Sequence, residues 1–78
     1  MIPVLDLHGV RHHEVQNVVA RFIEDWIGNG LFLDVITGNS MQMFIEASSV
    51  IEQYGLEYYT GLSDHPGRIR IVMYDDFH

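Results

Sequence analysis

The stretch LDLHGVRHHE, residues 5–14, sets a carboxylate (Asp6) and an imidazole (His8) two positions apart in an alternating run that ends on Gly9. Residues two apart on a strand share a face, so both groups are expected on one side of one strand end. Histidine titrates near neutrality and is the usual proton shuttle, and an adjacent carboxylate can orient its ring or bind a metal. A second polar corner, TGNS (37–40), closes an apolar run. Gly38 permits a tight bend there, and Asn39 or Ser40 suits the N-cap of a following helix. With Asn39 as cap, Gln42 falls where a capping-box partner belongs. The free amides of a helix N-terminus form a natural phosphate site. Each corner also has an ordinary reading: a lone histidine is more often structural, an aspartate two residues away often caps an amide, and short strand-to-helix turns favour glycine.

The elements that must position these groups follow from apolar spacing. IPVLDLH (2–8) alternates like a strand, with Leu5 and Leu7 on one face and Asp6 and His8 on the other. From about His12 to Ile27, Val15, Val18, Val19, Phe22, Ile23 and Trp26 recur at helical spacing, and GNG (28–30) stops that helix. LFLDVITG (31–38) is nearly all apolar, which suits a central strand. A second helix is expected from Ser40 to about Tyr54, with Phe44, Ala47, Val50 or Ile51, and Tyr54 inward. LEYYT (56–60) and RIRIVMY (68–74) read as two further strands, joined by the turn-rich loop GLSDHPG (61–67). The predicted order is β-α-β-α-β-β: an α/β chain forming an α+β sandwich, with a four-stranded mixed sheet and two helices. A strand–helix–strand unit in one sheet makes its strands parallel with a right-handed crossover. Their carboxyl ends then share an edge, where ligands of open α/β sheets bind. The two corners are thus expected to converge although they are some thirty positions apart.

Composition bounds the possibilities. The 78 residues are 47% hydrophobic and contain no cysteine, so they read as one packed domain without disulfides or a cysteine-based zinc site. No basic-then-apolar leader opens the sequence, and no apolar run nears the roughly 20 residues of a membrane span; the expected compartment is the cytoplasm, with no membrane partner. The formal net charge is −7 and lysine is absent, leaving Arg11, Arg21, Arg68 and Arg70 as the full cations. Since Lys and Arg contacts to phosphate dominate nucleic-acid affinity, tight non-specific binding by this chain alone is not expected. Arg68 and Arg70 alternate on one face of the last strand, able either to hold a nucleic-acid backbone or to pair with carboxylates. His12, His13 and His65 are expected to face solvent.

Three landmarks in order, LDLHG with an acidic residue shortly after (Glu14), an apolar strand ending in TGNS, and a glycine before a final apolar strand (HPGRIRIVMY), span essentially the whole chain. In these the sequence resembles the Smr (small MutS-related) domain. The resemblance implies a compact fold like the C-terminal domain of translation initiation factor 3, and an endonuclease that nicks DNA or cuts RNA, some members acting on messenger RNA at stalled ribosomes. It implicates Asp6 and His8 in activity, and the corner of Gly38, Asn39 and Ser40 in nucleic-acid contact. The chain departs from the family where Ser40 replaces the second glycine of the corner and where Arg11 replaces a helix-capping Thr or Ser. The family's basic residues around the second corner are missing too.

The expected function is phosphodiester cleavage, RNA favoured over DNA, with His8 as general base and Asp6 fixing its ring or holding a divalent ion such as magnesium or manganese. Gly9, Arg11, Thr37, Gly38, Asn39, Ser40, Arg68 and Arg70 are the expected nucleic-acid contacts. A partner protein that brings the domain to its target fits its small size. Two other readings remain: a non-catalytic Smr-like module that docks on nucleic acid or a ribosome, and an acidic protein that targets a basic partner.

Overall fold

A computed structural model describes residues 1–61 and 67–74. The chain order is β1 (Val4–Asp6), α1 (His12–Trp26), β2 (Phe32–Ile36), α2 (Met41–Gln53), β3 (Tyr58–Tyr59) and β4 (Arg68–Val72). The strands form one mixed sheet in the order β1-β2-β4-β3. β1 runs parallel to β2, with Asp6 beside Ile36, while β4 is antiparallel to both β2 and β3. The expected order of six elements is therefore present, and the parallel pairing places the carboxyl ends of β1 and β2 side by side.

Alternation decides which face of the sheet is covered. Leu33 and Val35 of β2 are in register with Ile71 and Ile69 of β4, and all four are buried in one cluster with Val15, Val19 and Ile23 of α1 and Met43, Ala47 and Ile51 of α2. Leu5 packs against this cluster from β1. Both helices thus lie on one face and pack against each other. The opposite face carries Val4, Asp6, Phe32, Asp34, Ile36, Arg68 and Arg70 by the same alternation, and no described element covers it.

Several boundaries and faces differ from expectation. The first strand ends at Asp6 rather than residue 8, because the chain turns at once: Val10 N–H donates to Leu7 O at 2.9 Å, and Gly9, third in the turn, has φ +85°. That positive φ at the third position marks a type II turn, which favours glycine. The third strand is only Tyr58–Tyr59, and the last ends at Val72, although Met73 N–H still donates to Leu31 O at 2.8 Å. In α2 Ala47, Val50 and Ile51 are buried as expected, but the two ends of the inward stripe differ. Met43 is buried where Phe44 was expected, Phe44 is half-buried, and Tyr54 is exposed with its hydroxyl on Glu24 of α1. The expected solvent position of His65 and most of the 61–67 loop lie outside the described residues.

Candidate functional site

The first corner is built by its own aspartate. Asp6 Oδ1 accepts the backbone N–H of His8 at 2.9 Å, an Asx-turn bond that fixes where the chain leaves β1. Asp6 and His8 are both exposed, whereas Leu7 between them is fully buried and anchors the corner in the core. The carboxylate therefore holds the backbone of His8 and not its ring. That corrects the expectation that Asp6 fixes the imidazole.

The second corner is held from behind by Gly67. Its carbonyl oxygen accepts Thr37 N–H at 2.8 Å, Gly38 N–H at 3.1 Å and the Thr37 hydroxyl at 3.1 Å. The approach is so close that a Cβ on Gly67 would lie 2.6 Å from the Gly38 carbonyl oxygen. The glycine that precedes the last strand is therefore a steric requirement of the TGNS corner. Beyond it, Ser40 rather than Asn39 is the N-cap of α2, its Oγ accepting Met43 N–H at 3.1 Å. Gln42 bonds Glu46 across one helical turn and completes no capping box. Thr37 is buried and its groups, like the Gly38 amide, face Gly67. The amides left to meet an anion begin at Asn39 and continue into the first turn of α2, where no intrahelical acceptor exists.

The two corners meet. Asp6, Leu7, His8 and Gly9 share one groove of about 440 Å³ with Ile36, Thr37, Gly38, Asn39, Ser40 and Met43. Seven of the ten expected site residues line it; Arg11, Arg68 and Arg70 do not. Arg11 stands at the N-cap of α1 with extended backbone (φ −71°, ψ 142°) and no side-chain capping bond. Arg68 lines a neighbouring depression of about 250 Å³ on the other side of the TGNS corner. Comparison with protein-family models, characterised proteins and solved structures gave no match. The functional reading therefore rests on the chain's own motifs and geometry.

Arg68 and Arg70 have a partner that sequence reasoning passed over. Arg70 donates to Asp34 through Nε at 2.8 Å and Nη2 at 3.0 Å, and Arg68 donates through Nη1 at 2.9 Å. The Asp34 side chain is wholly buried, while those of Arg68 and Arg70 stay 20% and 30% exposed. Burial alone pushes the Asp34 carboxyl up. The hydrogen bonds and charges of Arg70 and Arg68 outweigh that and hold it below the ordinary carboxylate value. The same carboxylate stabilises the charged form of Arg70. The signal was present in the sequence: one aspartate inside an otherwise apolar central strand needs a cationic partner, and RIR supplies two on the facing strand.

A metal finds few donors here. Asp6 is the sole carboxylate of the groove among the described residues, and one of its oxygens already holds an amide. Among the described residues no three His, Asp or Glu side chains converge on a point. His12 faces Glu46 at 3.6 Å, and His13 lies 4.0 Å from Glu14, both on the helices. The described residues thus do not by themselves gather a metal's ligands. Among the described residues no helix is long and apolar enough to cross a membrane.

Proposed function

We propose that the chain is an Smr-type endonuclease domain that cleaves phosphodiester bonds, with RNA as its substrate, and that the groove between the two corners is its active site. One observation carries this reading: the acid–base pair of LDLHG and the helix N-terminus of TGNS line the same groove. The family's likeness to the C-terminal domain of translation initiation factor 3 is part of the same proposal. It is supported by the order of elements and by the physical role of each landmark glycine.

The chemistry needs little beyond this. A phosphate seated on the Asn39, Ser40 and first-turn amides of α2 has its growing negative charge met by fixed N–H dipoles. His8, exposed beside it, takes the proton of the neighbouring ribose 2′-hydroxyl. The O2′–P bond forms as the P–O5′ bond breaks, leaving a 2′,3′-cyclic phosphate and a 5′-oxygen that takes a proton from solvent. The nucleophile is held on the substrate itself, which gives the proximity advantage of an intramolecular attack. DNA lacks it, so RNA is favoured. Asp6 fixes the turn that aims His8.

The alternative is a non-catalytic nucleic-acid or ribosome-binding module. It is favoured by Asp6 bonding the His8 backbone in place of its ring. Labelled single-stranded RNA, structured RNA and supercoiled plasmid, each incubated with the protein with and without EDTA, separate the two. The endonuclease reading expects RNA to be cut to 2′,3′-cyclic ends and the plasmid to stay intact. Binding without cleavage of any of the three assigns the module.

A further inference from the structure

Through Asp6 and Ile36 the groove borders the sheet face that no described element covers, and that face differs from the helical side. Asp6, Ile36 and Arg68 lie in one row across β1, β2 and β4, so the row begins at the groove. The next row is Val4, Asp34, Arg70 and Tyr59, running across all four strands. Val4 and Tyr59 are 47% and 55% exposed, and Tyr74, beyond β4, is 45% exposed with its ring edge-on to Phe32 at 5.8 Å. Tyr58, on the helix side, bonds Glu52, which pushes its hydroxyl pKa up. Tyr59, on the open side, makes no hydrogen bond to any described side chain.

Charge is segregated in the same sense. The two helices carry Glu14, Glu24, Asp25, Glu46 and Glu52 against one arginine, Arg21. On the open face, the guanidiniums of Arg68 and Arg70 are matched by two carboxylates, buried Asp34 beneath them and exposed Asp6 at the groove. A polyanion is repelled by the helical layer, whereas the sheet face is balanced in charge and offers it arginine and tyrosine beyond Asp6. Paired to Asp34, the Arg70 guanidinium is held in place, and a fixed guanidinium plane or tyrosine ring is a surface on which an unpaired base stacks.

We propose that the open sheet face is a stacking platform for single-stranded RNA, which leaves the groove at Asp6 and lays its flanking bases across Arg70 and Tyr59. This rests on the groove being the site of cleavage, and it adds that the substrate is unpaired there. Three strand spacings, about 15 Å, separate Asp6 from Tyr59, a path for a short run of nucleotides. A base-paired helix has its base faces covered and finds nothing to stack on.

The test uses a fluorescein-labelled single-stranded RNA of about ten nucleotides with 2′-O-methyl riboses, which removes the attacking hydroxyl, and the duplex of the same sequence. Binding is read by anisotropy for the full chain and for the Tyr59→Ala and Tyr59→Phe variants. Tyr59 is too exposed to support the core, and circular dichroism of each variant checks that directly. Wild type is expected to prefer the single strand. Tyr59→Ala is expected to weaken that binding by about 5- to 150-fold, as for loss of one stacked base, and Tyr59→Phe to keep it. Equal affinity for single strand and duplex, or no effect of Tyr59→Ala, overturns the platform. If His8-dependent cleavage persists in that case, the active site stands without it. Sedimentation that shows a dimer disrupted by Tyr59→Ala assigns the face to a second copy and also overturns the proposal.

Discussion

Gly67→Ala should damage the TGNS corner more than any other small substitution in the chain. Gly67 has φ +79°, and a non-glycine residue in the left-handed region costs roughly 1–2 kcal/mol. The added Cβ would lie 2.6 Å from Gly38 O and 2.9 Å from its C and Cα, all backbone atoms that cannot rotate away. Separating them by several tenths of an ångström stretches the three hydrogen bonds that converge on Gly67 O. Loss of about two of these adds on the order of 1–3 kcal/mol, for a total of about 2–5 kcal/mol. That is a large share of the roughly 4–12 kcal/mol expected for a domain of this length. Gly55→Ala is the internal control: its φ is +71°, but nothing lies within 4 Å of the added Cβ, so only the conformational cost of about 1–2 kcal/mol applies. Urea denaturation of the two variants, followed by Trp26 fluorescence, gives the difference. The surviving folded fraction of Gly67→Ala should also cleave RNA more slowly, because the Asn39 and Ser40 amides have moved. If Gly67→Ala is no more destabilising than Gly55→Ala, the close contact does not set the corner.

Asp34→Asn should destabilise by about 2–3 kcal/mol, below the usual range for breaking a buried pair because both guanidiniums keep contact with water. The Asp34 pKa lies lower in the folded chain than its ordinary 3.8, so its stabilisation is complete above that value and is lost as pH falls through the lower folded pKa. Denaturation midpoints between about pH 2 and 4 should therefore fall more steeply for wild type than for Asp34→Asn, and parallel curves would refute this. Ser40→Ala removes the α2 cap and should cost about 1 kcal/mol in the same denaturation assay. The slope of log affinity against log salt should correspond to about four phosphate contacts or fewer, since the chain has four arginines and two share a carboxylate. A slope implying eight would mean that another chain supplies charge.

Much of the architecture was legible because its signals are local. The apolar stripe Val15–Val19–Ile23 fixes α1, and one β-α-β unit forces β1 and β2 to be parallel. That topology alone placed the two corners beside each other. Part of what escaped depends on pairings about thirty residues apart. Asp34 passed unremarked inside a nearly all-apolar run, and its role shows only once β4 sets Arg68 and Arg70 against it. Gly67 stood out as a landmark before the last strand but without a physical reason, because only the fold shows that Gly38 lies within contact of it. The start of the α2 stripe was placed at Phe44 in place of Met43 because both are apolar and periodicity alone cannot rank them. For Asp6, sequence could not distinguish a bond to the His8 ring from a bond to its backbone.

The central claim is that the groove between the corners cuts RNA through His8, and one sample tests it most directly. Purified His8→Ala is assayed for cleavage of labelled RNA and, in the same preparation, for thermal unfolding. His8 is exposed at a turn whose anchor is Leu7, so the melting temperature should stay close to wild type. Loss of a positioned base should lower cleavage by a factor of about 10² to 10⁴. Asp6→Asn, which keeps an oxygen to accept the His8 amide but loses the charge-assisted bond that fixes the turn, should hold the fold while cleaving more slowly. Cleavage by His8→Ala at the wild-type rate, whatever its melting temperature, would contradict the account.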